Sequence, residues 1–239
     1  MNGYKVYNLS LFDRFSRLWS SCVLCDQPSG RHLDLCTNCE SSLPWLANPC
    51  PRCAFPNVQA GGHCTECQQR EPLQHRAISL FHYEFPLNRL IGNFKYRQRF
   101  EYGHLLADLL ALYITKNLEQ TDYPEAIVPI PLHKTRQIER GYNQATLLAK
   151  QIGKRLQIPV VHSGLEKIKH TTQQATLNAE QRQQNLADAF RANPQIKLPN
   201  RVAIVDDVYT TGATTRAAIT ALRAEGVSQI DVWTIARTR

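Results

Sequence analysis

Val202, Ala203, Ile204 and Val205 run without a polar interruption, the pattern of a strand buried on both faces. Ala126, Ile127, Val128, Pro129, Ile130 and Pro131 repeat that pattern over a shorter span. With strand-like stretches at 77–83, 158–162 and 229–235, the chain from residue 76 onward carries five β elements. Helical spacing fills the intervals: Leu90 and Phe94; then Ala145, Leu148, Ala149, Ile152 and Leu156; then Ala218, Ala221 and Leu222, stopped by Gly226. This alternation predicts an α/β domain over 76–239, with a mainly parallel sheet flanked by helices. Residues 1–75 read as a short N-terminal helix and a small cysteine-rich module. Residues 167–190 break the alternation, being polar and rich in glutamine, with little apolar content before Leu186. They are a lid between strands or a surface helix from about 178 to 189.

The strand at 202–205 ends in two adjacent carboxylates, Asp206 and Asp207, and ligands of open α/β sheets bind just beyond such strand ends. Thr210, Thr211, Gly212, Ala213 and Thr214 follow, offering closely spaced N–H groups and three hydroxyls at the start of a helix. Glycine lets the chain wrap closely round an anion, and the helix dipole favours a phosphate there. The two acids could hold ribose hydroxyls or a magnesium ion. A sugar phosphate would satisfy both halves of the loop. An ordinary strand-to-helix turn would account for one capping acid, but not for two followed by TTGATT. The glycine spacing matches neither GxGxxG nor GxxxxGK[ST].

A second strand, loop and helix follows residues 126–131, now with cations: His133, Lys134, Arg136 and Arg140, ahead of Gly141 and Asn143. Pyrophosphate requires such charge and N–H donors. Alone, the segment would also pass for a solvated basic loop.

All eight cysteines fall in four CxxC pairs, Cys22/Cys25, Cys36/Cys39, Cys50/Cys53 and Cys64/Cys67, with ten residues between successive pairs. Two such knuckles supply the corners of a tetrahedral zinc site, so the spacing predicts two structural Zn²⁺ sites of four cysteines each. The simplest partition is sequential, and an interleaved one also fits. Few large apolar side chains occur here, so metal binding would supply the folding free energy. The start, MNGYKVYNLSLFDRF, lacks an apolar core or cleavage signature. The chain is therefore expected to be cytoplasmic, where thiols stay reduced. No apolar run approaches the roughly 20 residues of a membrane span, so membrane insertion is not expected.

The formal net charge is +8, and it is unevenly placed. Residues 1–75 hold six charges of each sign, while residues 76–239 hold 22 basic and 14 acidic residues. An anionic partner is implied, either a polyphosphate or nucleic acid. The segment RLIGNFKYRQRF carries Arg89, Lys95, Arg97 and Arg99 among Phe94, Tyr96 and Phe100. Cations interleaved with aromatics suit single-stranded nucleic acid. A core helix with solvated cations explains Phe94 well, since Leu90 and Phe94 share a helical face.

The stretch RVAIVDDVYTTGATT resembles the phosphoribosyl-pyrophosphate loop of type I phosphoribosyltransferases. That resemblance makes Asp206 and Asp207 the catalytic pair holding ribose hydroxyls and Mg²⁺, with the 5-phosphate on Thr210 to Thr214. The loop from His133 to Arg140 would take the pyrophosphate. A wider resemblance, to the competence-associated ComF/GntX family, rests on three stretches. They are PIPLHKTRQIERGYNQA; the spaced set Thr171, Gln174, Leu177, Arg182, Asn185, Leu186, Ala189 and Phe190; and VAIVDDVYTTGATT. Lys167 and Lys169 stand where that family more often carries arginine; lysine keeps the charge but loses bidentate geometry. The resemblance implies a double zinc ribbon ahead of a phosphoribosyltransferase-like domain. Its flexible loop would include Lys167, Lys169, Thr171, Gln174 and Arg182, and would shield an activated sugar from water. It also implies a role in DNA uptake, with phosphoribosyl pyrophosphate, single-stranded DNA and other uptake proteins as partners. The alternative is a metabolic transferase acting on a nucleobase or another small acceptor, for which the sequence offers no acceptor motif.

Overall fold

The computed structural model describes residues 20–56, 58–59, 62–169 and 189–238. The expected N-terminal helix lies outside these residues, as do Thr171, Gln174 and Arg182 and the choice between lid and surface helix. The chain divides into two compact units, Met1–Leu43 and Pro44–Arg239. In the smaller, a short helix α1 (Thr37–Ser41) follows Cys36, whose sulfur accepts the Cys39 N–H at 3.4 Å.

The larger unit begins with residues 44–75, which hold the third and fourth cysteine pairs and helix α2 (Thr65–Gln69). Strand β1 (Arg76–His82) leads to helices α3 (Leu87–Tyr96) and α4 (Phe100–Asn117). After a 3₁₀ turn come β2 (Ala126–Pro129), α5 (Lys134–Arg140) and α6 (Gln144–Leu156). A two-stranded antiparallel ribbon, β3 (Leu165–Lys167) with β4 (Phe190–Ala192), precedes β5 (Arg201–Tyr209), α7 (Ala213–Ala224) and β6 (Gln229–Arg237).

The main sheet has the order β1-β6-β5-β2, and every pairing in it is parallel. This is the expected α/β class. The interior of β5 and nearly all of β6 are buried, as required when helices or loops cover both faces. Alternate residues divide between the faces. Val128, Val202, Ile204, Ile230 and Val232 pack with Ala218, Ile219 and Leu222 of α7, and with Cys50, Cys53, Ala54 and Cys64. On the other face, Ile127 meets α6 at Gly153, where an added Cβ would stand 2.6 Å from Val160. A hairpin-like approach of α3 and α4 needs Gly103, because a Cβ there would come within 2.4 Å of the Phe94 ring.

Two expectations change. The strand at 158–162 is reduced to a single parallel bridge, Ile127 to Val160. Pro159 has no N–H to continue the ladder, although its carbonyl still accepts the Ile127 N–H at 2.9 Å. The basic segment after β2 is a helix rather than a loop. Its residues, KTRQIER, are mostly good helix formers, His133 caps its start, and Gly141 ends it at φ +81°. Among the described residues, no helix is long and apolar enough to cross a membrane.

Candidate functional site

Asp206 and Asp207 occupy the carboxyl end of β5, where the sheet ceases to be purely apolar. Asp206 is partly exposed and Asp207 is buried. The Asp207 N–H donates to Asp206 Oδ1 at 2.8 Å, which fixes the Asp206 carboxyl. Asp207 Oδ2 faces the Lys95 ammonium of α3 at 2.6 Å, an ion pair without hydrogen-bond alignment. Burial opposes the Lys95 charge, but the Asp207 and Asp206 carboxylates outweigh it and hold the ammonium above its ordinary value. Burial, reinforced by the Asp207 charge, pushes Asp206 up to about 8, against the opposing pull of Lys95. Asp207 is thus paired with Lys95, while Asp206, held up by burial, gains from any further cation.

Beyond them, β5 continues through Val208 and Tyr209, and Thr210 and Thr211 make the turn. Gly212 sits at φ +73° as the N-cap of α7 and offers no side-chain cap. The first N–H groups of α7 thus face the turn, with only a long bond of 3.4 Å from Ala213 N–H to Thr211 Oγ1. A Cβ on Gly212 would stand 2.7 Å from the Tyr209 ring, so the turn closes tightly over that ring.

The second basic segment lies next to this end of the sheet, since Ile130 N–H donates to Val205 O at 2.9 Å. Arg136 and Arg140 are one helical turn apart on α5. With Lys95, Tyr96, Gln98 and Glu139 they line a cavity of about 370 Å³. Arg140 lies 5.0 Å from the Tyr96 ring centroid and donates to Gln144 Oε1. Lys167, on β3, is lowered by burial and by the charge of Arg136, while Asp206 acts the other way. Lys95, Arg136 and Arg140 thus line one cavity, and Lys95 and Lys167 act directly on the acids of β5. His133 caps α5, its Nδ1 accepting the Thr135 N–H at 3.3 Å. Lys134 and Lys169 are exposed.

Of the residues considered for nucleic acid, Lys95 is turned onto Asp207, whereas Arg89, Tyr96, Arg97 and Arg99 are exposed. The apolar face of α3 (Leu87, Leu90, Ile91 and Phe94) is core. Tyr96 itself is 74% exposed. Arg99 pairs with Glu101 and stacks 5.1 Å from the Tyr102 ring.

The eight cysteines form two clusters in sequential order: Cys22, Cys25, Cys36 and Cys39; then Cys50, Cys53, Cys64 and Cys67. Within each, the sulfurs lie within 4.8 Å of one another. Measured edges are 3.7 Å for Cys25 to Cys36 and 3.5 Å for Cys53 to Cys64. A tetrahedron of sulfurs with Zn–S of about 2.3 Å has edges of about 3.8 Å, so both clusters fit zinc. The thiols cannot share negative charge without a cation. Burial raises the Cys22 thiol, yet the N–H groups of Cys36, Leu24 and Cys25 bring it down to about 6. Its neighbour Cys39 is driven up by burial and by the other three sulfurs. In the second cluster, burial pushes Cys53 up to about 12.

Residues 18–68 match the double zinc ribbon domain. Competence protein F of Haemophilus influenzae strain Rd is 40% identical to this chain over 207 residues, covering 85% of this chain and 90% of that protein. The chain belongs to the ComF family. DNA utilization protein YhgH of Escherichia coli K12 is 31% identical over 223 residues, covering 91% of this ComF-family chain and 96% of its relative. A solved structure of glutamine phosphoribosylpyrophosphate amidotransferase from Bacillus subtilis aligns over 55% of this chain and 26% of its own, at 19% identity and a TM-score of 0.37.

In this ComF-family chain, two residues of the site region, Gln74 and Arg237, are not singled out by the sequence. Gln74, Tyr209 and Arg237 surround the base of the threonine turn, joined by hydrogen bonds between distant segments. Tyr209 lies within the motif RVAIVDDVYTTGATT, but its ring there carries no signal of this role.

Proposed function

We propose that this chain acts in the uptake or utilisation of DNA, and that its larger unit binds phosphoribosyl pyrophosphate with magnesium at the carboxyl end of β5. The observation that supports this most strongly is the order Asp206, Asp207, threonine turn, uncapped α7, with Lys95 and Lys167 acting on the acids and Lys95 shared with a cavity that Arg136 and Arg140 also line. A ligand with vicinal hydroxyls at one end and phosphates on either side uses every one of these groups. Asp206 and Asp207 take the ribose hydroxyls, the N–H groups and hydroxyls of Thr210 to Thr214 take the 5-phosphate, and Arg136 and Arg140 take the pyrophosphate. Asp207 Oδ2, buried and already held against a cation, and the elevated Asp206 fit a magnesium ion. Magnesium would supply positive charge to the pyrophosphate oxygens. Transfer of the ribosyl group would need no protein nucleophile. The cations of α3, α5 and β3 stabilise charge leaving with pyrophosphate.

The exposed Tyr96, Arg97 and Arg99 at the end of α3 supply stacking area and charge for single-stranded DNA beside the same cavity. The names of the relatives, and the basic excess of residues 76–239, support this second partner.

Isothermal calorimetry with phosphoribosyl pyrophosphate and magnesium tests the pocket. Binding by wild type and its loss in Asp206→Ala/Asp207→Ala is the expected result. Absence of binding by folded, zinc-loaded wild type would overturn the reading.

A further inference from the structure

Arg237 ends strand β6 and is buried, with 9% of its surface exposed. Its Nε donates to the Cys53 carbonyl at 3.3 Å, inside the second four-cysteine cluster. Its Nη1 donates to the Tyr209 carbonyl at 3.0 Å and also to the Thr210 carbonyl. The same guanidinium lies 4.5 Å from the centroid of the Tyr209 ring. A second strut runs parallel to the first. Gln74, 2% exposed, donates through Nε2 to the Arg52 carbonyl at 2.9 Å and to the Tyr209 hydroxyl at 3.1 Å. Arg52 lies between Cys50 and Cys53. The Tyr209 ring, held at both ends, is the surface on which Gly212 rests.

The electrostatics run the same way. Among the described residues, Arg237 has no carboxylate partner. A buried guanidinium without counter-charge is costly. Zinc with four thiolates carries a formal charge of about −2, and Cys53 presents its carbonyl to Arg237. Metal loading would therefore supply the charge that keeps Arg237 in place, and Arg237 in turn holds the carbonyls at the start of the threonine turn.

We infer that the second zinc cluster and the phosphate-binding turn form one cooperative element, with Arg237 as the positioning residue between them. Zinc at Cys50, Cys53, Cys64 and Cys67 and a phosphate ester at Thr210 to Thr214 then each strengthen the binding of the other, because such coupling is reciprocal. The inference rests on the reading of that turn as a phosphate site.

Amide hydrogen exchange on the full, zinc-loaded chain tests it. The comparison is between wild type, Cys64→Ser/Cys67→Ser and Arg237→Gln, with residues 202–205 of β5 as the control for an intact fold. Arg237→Gln keeps all eight cysteines, and it decides the matter if the cysteine variant does not fold. The expected result is exchange about tenfold faster or more at Thr238 and Arg216, whose N–H groups close on the turn at Tyr209 O (3.1 Å) and Gly212 O (2.8 Å), with residues 202–205 still protected and, in Arg237→Gln, full zinc content. Unchanged exchange at both amides would overturn the inference. Zinc release to a chromogenic chelator supplies the reciprocal arm: saturating phosphoribosyl pyrophosphate with magnesium should slow the release of one zinc by a similar factor in wild type and not in Arg237→Gln. If calorimetry shows the ligand bound while both zincs leave at their unliganded rates, the coupling is wrong and the pocket stands. If no ligand binds, the pocket reading fails and the exchange comparison alone decides the coupling.

Discussion

The Lys95 ammonium stands 2.6 Å from Asp207 Oδ2, and the two side chains are 17% and 6% exposed. A helix from one end of the domain thereby neutralises a carboxylate at the edge of the candidate pocket. Removing one member of a buried pair leaves the other uncompensated. Lys95→Ala should lower stability by about 3 kcal/mol, read from the denaturant midpoint. Magnesium should recover part of that loss in the variant and add less to wild type. A variant as stable as wild type would show that the pair contributes nothing.

Asp206 gives the pH dependence. Its value of about 8 in the fold lies above the roughly 3.9 of an unfolded aspartate. Between those values the folded chain holds a proton that the unfolded chain has released, so stability falls as pH rises from about 4 to about 8. Asp206→Asn should remove this penalty. Its melting temperature should exceed that of wild type at pH 8 by about 2–4 °C per kcal/mol gained, and the difference should shrink towards zero as the pH falls to about 4. A constant difference across this range would assign the effect to packing.

Gly212 is constrained twice, by φ +73° and by the Tyr209 ring 2.7 Å from its missing Cβ. The ring cannot swing aside, because Gln74 and Arg237 hold it. Gly212→Ala should cost about 1–3 kcal/mol in urea unfolding and should weaken binding of phosphoribosyl pyrophosphate. Unaltered binding would mean that the turn does not touch the ligand.

Sequential cysteine clusters make a stoichiometric prediction. Wild type should bind two zinc ions per chain. Replacing Cys22, Cys25, Cys36 and Cys39 together by serine should leave one, counted by elemental analysis of the purified protein. Interleaved sites would lose both ions in that variant.

Single-stranded DNA affinity should fall linearly with salt on logarithmic axes. Arg97→Ala/Arg99→Ala should reduce the slope by about 1.4, at about 0.7 for each phosphate that the variant no longer neutralises. An unchanged slope would remove the end of α3 from the DNA surface.

What the sequence discloses follows from the range of the forces involved. Unbroken aliphatic runs carry β2 and β5, and the CxxC spacing carries both metal clusters, since these signals are local. The aliphatic pattern alone ends β5 too early: Val208 and Tyr209 continue the strand beyond the acids because β6 pairs with them as far as Arg237. Helix α5 resembles a loop in sequence because its one apolar residue, Ile138, is exposed, so no amphipathic period shows. Strands β3 and β4 are three residues each and too short to show a period. Lys95 sits among surface cations in the sequence, yet it faces Asp207, and only the packing of α3 reveals that. Arg237 and Gln74 are silent for the same reason.

Strand β6 follows every other strand in sequence, yet it is an inner strand of the sheet, lying between β1 and β5. During synthesis, β1 and β5 therefore wait without a common partner until residues 229–237 leave the ribosome. A nascent or prematurely terminated chain presents two apolar strand edges, which favour aggregation and degradation. Arg237 closes that strand, so the ribosome completes the sheet and the brace beneath the threonine turn in the same short stretch.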